Sequence, residues 1–84
     1  MTAFGRATII RKRHWRCHGF EVTPGMEMTV RGEWGRFRFD SYAMNARTGE
    51  EWIDAFGGKP GFERWRSFHP DRVAIIHRTR KARV

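Results

Sequence analysis

Apolar and polar residues alternate along most of this chain, and a period of two is typical of half-buried β-strands. Five runs show the pattern, at residues 26–30, 36–44, 50–56, 64–68 and 73–77. In each run the apolar side chains would face a core while the polar ones between them face solvent. The pattern predicts an all-β protein with five main strands.

Short segments that contain glycine or proline separate these runs and predict tight turns. They lie at residues 23–25, 32–35, 45–49, 57–61 and 69–72. Proline presets φ for the first central position of a turn, and glycine tolerates the positive φ that often follows. The last segment should be a short 3₁₀ turn, because the residue before a proline avoids the α region. Strands that close through such a turn before a β-branched run predict a small SH3-like β-barrel of about five strands.

The region after the third strand allows two interpretations. We expect all of residues 57–61 to form a glycine-rich hairpin tip outside regular structure. Beyond it, Phe62, Trp65 and Phe68 are spaced three residues apart, which also fits a short helix. Such a helix would have only about two turns, a length that is marginal in water. We therefore favour a strand at 64–68.

Residues 6–22 form a further alternating stretch, which predicts an N-terminal β-arm. Most apolar side chains occupy odd positions as far as Cys17 (Ala7, Ile9, Trp15 and Cys17) and even positions from Phe20 onward. A one-residue slip beside a glycine is typical of a β-bulge, so we expect the arm to bend at Gly19. A similar change of parity near Ser41 predicts a bend in the second strand of the barrel.

The third strand of the barrel has two possible inner faces. Trp52, Asp54 and Phe56 share one face, and Ile53 and Ala55 share the other. Burying Asp54 without a partner would cost several kcal/mol, roughly, so Ile53 and Ala55 are predicted to face the core. Trp52 and Phe56 then lie outside the barrel, either covered by the arm or exposed.

The length of 84 residues predicts one domain, since compact domains mostly have about 100–150 residues. We expect a flexible end at residues 1–5, a single SH3-like domain at 6–79 and a basic tail at 80–84. No apolar run approaches the ~18 residues of a membrane helix, and no signal peptide is evident, which predicts a soluble intracellular protein. Cys17 is the only cysteine, so an internal disulfide is excluded.

Two segments carry a resemblance to a known group of proteins. They are TGEEWIDAFGG at residues 48–58 and WRSFHPDRV at residues 65–73. Both resemble small uncharacterised proteins encoded by actinobacteriophages. The resemblance implies a viral source, an SH3-like barrel and the cytoplasm of a bacterial host as the location, and it implies no catalytic residues.

Neither a metal site nor an enzyme is expected from the side chains. His14 and His18 would face away from Cys17 on a strand, and no second cysteine completes a zinc motif. The acidic residues mostly alternate with basic or apolar ones, so no pair of carboxylates is arranged for catalysis. The glycine-rich segment 57–61 lacks the G-K-[ST] of a phosphate loop. We predict a non-enzymatic protein without cofactor or metal.

Charge gives the strongest indication of a partner. The chain has 17 basic and 9 acidic residues, a net charge of +8. Residues 1–23 carry +4, residues 24–56 carry −2 and residues 57–84 carry +6. Basic ends with aromatics among the cations favour nucleic acid. The predicted contacts are, on the arm, Arg11, Lys12, Arg13, Trp15 and Arg16 and, on the last hairpin and tail, Arg64, Arg66, Arg78, Arg80 and Lys81.

Two other interpretations stay open at this point. Trp15, Trp52 and Trp65 fit equally well as core or arm-docking residues, with the arginines a solvated surface. In the second, outward-facing Trp52 and Phe56 form a patch that binds a host protein, or the protein forms a homodimer through the arm. No membrane partner is expected.

Overall fold

The structure, a computed structural model, describes residues 8–77, and within this range the only regular elements are β-strands and one 3₁₀ turn. The strands are β1 (Ile9–Lys12), β2 (Trp15–Cys17), β3 (Phe20–Val22), β4 (Glu27–Val30), β5 (Arg36–Asn45), β6 (Glu51–Gly58), β7 (Arg64–Phe68) and β8 (Val73–His77). The all-β prediction is confirmed. The predicted flexible end at 1–5, the tail at 80–84 and the proposed contacts Arg78, Arg80 and Lys81 lie outside the described residues.

The main sheet follows the strand order β7-β6-β5-β4-β8, with all neighbours antiparallel. Strands β4 to β7 form a meander, and β8 returns after the 3₁₀ turn at Pro70–Arg72 to pair with β4. This is the connectivity of a small SH3-like barrel, as predicted. Residues 64–68 form the strand favoured over a helix. Within residues 8–77, no helix is long and apolar enough to cross a membrane.

Strands β4 to β8 of the main sheet all contribute to one core. Its members are Met28, Val30, Phe37, Phe39, Ile53, Ala55, Phe68, Val73 and Ile76, joined by Cys17 and Val22 from the arm. The ring of Phe37 meets that of Phe68 edge to face, with centroids 4.9 Å apart. Ile53 and Ala55 are fully buried, so the inner face inferred from the cost of burying Asp54 is confirmed.

An irregularity in β5 confirms the predicted bend near Ser41. The pairing of β5 with β6 shifts register between Phe39 and Ser41. Before the shift Phe39 faces the core, and after it Tyr42 packs against the core while Ser41 lies opposite Asp54. A bulge of this kind raises the local twist, which lets a long strand curl around a small barrel.

The arm differs from the prediction, because it is not one strand bent at a bulge. β1 pairs with the end of β5, whereas β2 and β3 form a separate hairpin. Its turn has positive φ at both His18 (52°) and Gly19 (81°), the geometry of a two-residue type I′ turn. Cys17 and Phe20 therefore face each other across the turn, which explains the switch of parity. The hairpin packs its apolar side chains on the core and covers one end of the barrel.

The glycine-rich tip is also shorter than predicted. Gly57 and Gly58 belong to β6, where Gly57 pairs with Phe37 of β5 on one side and with β7 on the other. The turn itself spans residues 59–62, closed by a hydrogen bond from the amide of residue 62 to the carbonyl of residue 59 (2.8 Å). A β-carbon at Gly57 would lie 2.7 Å from Cα of Phe37, so the sequence carries glycine here because two backbones approach closely.

Candidate functional site

Two of the arm arginines predicted to contact nucleic acid form ion pairs with the barrel. Arg11 donates from Nη1 to Ser41 Oγ (3.0 Å) and to Asp54 Oδ2 (2.5 Å). Arg13 donates to the backbone carbonyl of Asp40 (3.0 Å) and approaches its carboxylate (3.4 Å). These contacts attach the arm to the barrel and neutralise both charges locally.

The other predicted arm contacts line a cleft of about 440 Å³ at the covered end of the barrel. Trp15 forms one wall but is half-buried, with its ring stacked on Phe39 at a centroid distance of 6.1 Å. Lys12 and Arg16 are exposed, and neither makes an ion pair within residues 8–77. The cleft also holds the carboxylates of Glu21 and Glu51, so its charge is mixed.

Tyr42 provides a spectroscopic probe of this cleft. Its hydroxyl donates to Glu51 Oε1 at 2.6 Å. This hydrogen bond, with a smaller contribution from burial, raises the pKa of Tyr42 to about 12. The chain contains no second tyrosine, so its titration can be followed without overlap.

Tyrosinate absorbance is therefore expected to appear with a midpoint near pH 12 rather than near the unperturbed value of about 10. Because the folded pKa is raised, stability is retained below the unfolded pKa and falls as the pH rises from there through the folded value. The substitution Glu51→Gln removes the anionic acceptor and should return the midpoint towards about 10. A midpoint that Glu51→Gln leaves unchanged would contradict the role of the Glu51 carboxylate.

The predicted contacts on the last hairpin, Arg64 and Arg66, have different environments. Arg66 forms a two-bond ion pair with Glu33, with distances of 3.0 and 3.1 Å, and Arg72 donates to the same carboxylate at 3.1 Å. The hydrogen bond from Arg66 is the main cause that holds the pKa of Glu33 below its ordinary value. Arg64 is exposed and has no ion pair among the described residues.

Exposed aromatic side chains cluster at the end of the barrel that carries the turn between β6 and β7. Trp34 and Phe62 are each 70% exposed, and the ammonium of Lys59 lies 5.8 and 5.3 Å from their ring centroids. These side chains and Arg64 line a cleft of about 220 Å³. We call Trp34, Lys59, Phe62 and Arg64 the aromatic tip. Nearby on the outer face, Trp65 is 62% exposed.

Sequence reasoning missed Trp34, Lys59 and Phe62 as candidate contacts. From the sequence alone, Trp34 is predicted only to lie in a loop. Phe62 is noted only as the first of three aromatic residues spaced three positions apart. The available signal was that Trp34 lies within the glycine-containing segment 32–35 and Phe62 directly follows the segment 57–61, where an aromatic side chain has little neighbouring structure to pack against.

Comparison with known proteins places the chain in a family. A family described as "Domain of unknown function (DUF7246)" matches residues 2–84. The chain belongs to this family. No curated protein and no solved structure matches it. The family description states no activity or ligand.

The predicted contacts of this DUF7246 domain do not form one surface. Lys12, Trp15 and Arg16 lie at the covered end of the barrel, and Arg64 and Arg66 lie at the β6–β7 end. Residues 8–77 carry twelve basic and nine acidic groups, a net charge of +3. Five of the eight net charges therefore belong to the terminal segments.

The alternative patch of Trp52 and Phe56 is also divided. Both side chains are half-buried, and Asp54 lies between them on the same face of β6. Asp54 is bound to Arg11 and accepts a hydrogen bond from Ser67 Oγ (2.5 Å). Polar groups thus separate Trp52 from Phe56, whose ring instead contacts Trp65 edge to face at 5.3 Å.

Proposed function

We propose that this protein is a non-enzymatic nucleic-acid-binding module that holds single-stranded DNA or RNA at the aromatic tip. The observation that carries the proposal is the pair of 70% exposed rings, Trp34 and Phe62, which both lie near the Lys59 ammonium and line one cleft with Arg64. The resemblance to actinobacteriophage proteins supports a viral protein acting in the cytoplasm of a bacterial host.

Exposed rings beside cations suit both parts of a nucleotide. A base that stacks on an aromatic side chain contributes roughly 1–3 kcal/mol, and any base can do so because every base has a π-face. Lysine and arginine neutralise phosphates and release counterions. Single strands are favoured over a duplex, because in a duplex the bases are already stacked on one another. The tip therefore supports binding with little dependence on sequence.

Removing the two rings of the tip is the direct test. The double variant Trp34→Ala/Phe62→Ala is expected to weaken binding of a short labelled oligothymidine by at least about 30-fold at low salt, since two base stacks disappear. Fluorescence anisotropy measures the dissociation constant. Both side chains are exposed, so the fold should remain intact, which circular dichroism checks.

Paired charge variants locate the binding surface. Lys59→Gln/Arg64→Gln removes the cations of the tip, and Lys12→Gln/Arg16→Gln removes the same number of charges from the arm cleft. We expect the first pair to weaken binding and to reduce the salt slope by about 0.7 for each phosphate that is no longer neutralised. A larger effect of the arm pair would place the interface at the arm instead. Absence of any binding of DNA or RNA by the wild type at low salt would refute the proposal.

A protein partner is the second candidate function, and the Phe56–Trp65 contact favours it. This edge-to-face pair on the outer face remains largely open to solvent at Trp65. Exposed aromatic side chains often mark protein-binding surfaces, including surfaces of homodimers. A host protein that is retained in stoichiometric amount after nuclease treatment, and no longer retained by Trp65→Ala, would support this candidate. Light scattering tests for a homodimer.

A further inference from the structure

Two guanidinium groups converge on one carboxylate beside the aromatic tip. Arg66 donates two hydrogen bonds to Glu33, and Arg72 donates a third to Glu33 Oε2. The Glu33 side chain is only 19% exposed there. Paired arginines that reach both oxygens of one anion also match the geometry of a phosphate group.

Contacts other than Glu33 hold both arginines in place. The guanidinium carbons of Arg66 and Arg72 lie 5.0 and 5.3 Å from the ring centroid of Phe68, which is itself buried. Arg72 also donates from Nη2 to the backbone carbonyl of Arg31 at 2.7 Å. Because these contacts do not involve the carboxylate, they would still hold both arginines if the Glu33 side chain rotated away.

Glu33 belongs to a short loop outside the strands. It lies in the loop between β4 and β5, with positive φ at Gly32 (83°) and Gly35 (84°) on either side. The next residue in this loop is Trp34 of the aromatic tip. A ligand stacked on Trp34 therefore contacts the same loop that positions Glu33.

We propose that Arg66 and Arg72 form a phosphate-binding site for the nucleic-acid backbone, and that Glu33 occupies this site until a phosphodiester replaces it. The inference rests on the proposed function, because the aromatic tip brings the strand next to the site. Two cations beside one carboxylate leave one net positive charge, so the site attracts an anion even when Glu33 is bound. A phosphodiester carries the same single charge as the carboxylate it replaces and accepts the same hydrogen bonds.

The test is to remove the competing carboxylate. Glu33→Gln is expected to bind a short oligothymidine about five-fold more tightly than the wild type, because the ion pairs with Arg66 and Arg72 no longer have to be broken first. The matched control is Glu63→Gln, which changes the net charge equally on an exposed side chain of the same end of the barrel. It should change the dissociation constant by less than about two-fold, as expected for an exposed charge. Adding Arg72→Gln to Glu33→Gln should abolish the gain.

The outcomes separate this inference from the proposed function. If the wild type binds the oligonucleotide and Glu33→Gln binds no more tightly than Glu63→Gln, the phosphate site is wrong and the aromatic tip stands. If neither the wild type nor Glu33→Gln binds it, the proposed function fails. Pyrophosphate added to Glu33→Gln then tests the phosphate site alone. Binding should change the NMR chemical shifts of the Nε–H groups of Arg66 and Arg72. Unshifted signals would overturn the site as well. If Glu33→Gln does not fold, Glu33→Asp, which withdraws the carboxylate from the arginines by one methylene, replaces it, with Glu63→Asp as the matched control.

Discussion

The substitution Gly57→Ala is expected to lower the free energy of unfolding by at least about 3 kcal/mol, as overpacking and backbone strain each cost roughly 1–3 kcal/mol. The added β-carbon would overlap the carbonyl oxygen of Arg36 and lie 2.7 Å from Cα of Phe37. Both obstacles are backbone atoms of the neighbouring strand, so no side chain can rotate to make room. Relief requires β5 and β6 to separate at the centre of the sheet. Urea denaturation followed by circular dichroism measures the change in stability.

Gly61→Ala is the matched control for this effect. Gly61 also has positive φ (90°), but an added β-carbon there has no neighbour within 4 Å. The control should therefore cost only about 1–2 kcal/mol, the usual cost of a left-handed conformation. Equal destabilisation by both variants would show that φ alone, and not the close approach of β5 and β6, determines the need for glycine at residue 57.

Phe37→Ala is expected to lower the free energy of unfolding by about 3–5 kcal/mol. Phe37 is 1% exposed, and its ring packs edge to face on Phe68 and next to the backbone of Gly58. Removing it leaves a cavity that surrounding strands cannot fill, because β5 is held by hydrogen bonds on both sides. Since small domains are stabilised by only about 5–15 kcal/mol in total, the variant should be largely unfolded at modest urea concentrations.

The same change at an exposed position provides the comparison. Phe62→Ala deletes an identical group from a side chain that is 70% exposed, and should change stability by less than about 0.5 kcal/mol. Trp fluorescence and circular dichroism should give coincident unfolding curves for both proteins. A Phe62→Ala variant as unstable as Phe37→Ala would mean that the aromatic tip is a structural element and not a free binding surface.

Much of the barrel could be predicted because alternation and turn chemistry are local. The strands at 64–68 and 73–77 and the 3₁₀ turn between them were correct from sequence. The inner face of β6 followed from one energetic argument, the cost of burying Asp54. In the structure Asp54 lies on the outer face of β6, where it binds Arg11, a residue 43 positions away.

The errors arose where one local pattern fits two geometries. A parity switch beside glycine suits both a bulge and a two-residue turn, and the difference depends on His18, a non-glycine residue with positive φ. Two adjacent glycines usually indicate a loop. In β6 both glycines belong to the strand, and the backbone of β5 approaches Gly57 too closely for a side chain there. The sequence of one strand does not show how closely its neighbour approaches.

The sequence by itself determined the all-β class, the strand order along the chain, the core-facing residues of the third strand and the basic character of both ends. Only the tertiary structure decided which charged and aromatic side chains are free. Arg11, Arg13 and Arg66 are paired with carboxylates 27 to 43 residues away, while Trp34, Lys59 and Phe62 meet at one end of the barrel. The physical reason is the distance along the chain between the groups that interact. Strand formation follows from neighbouring residues, whereas ion pairing and side-chain exposure depend on groups that only folding brings together.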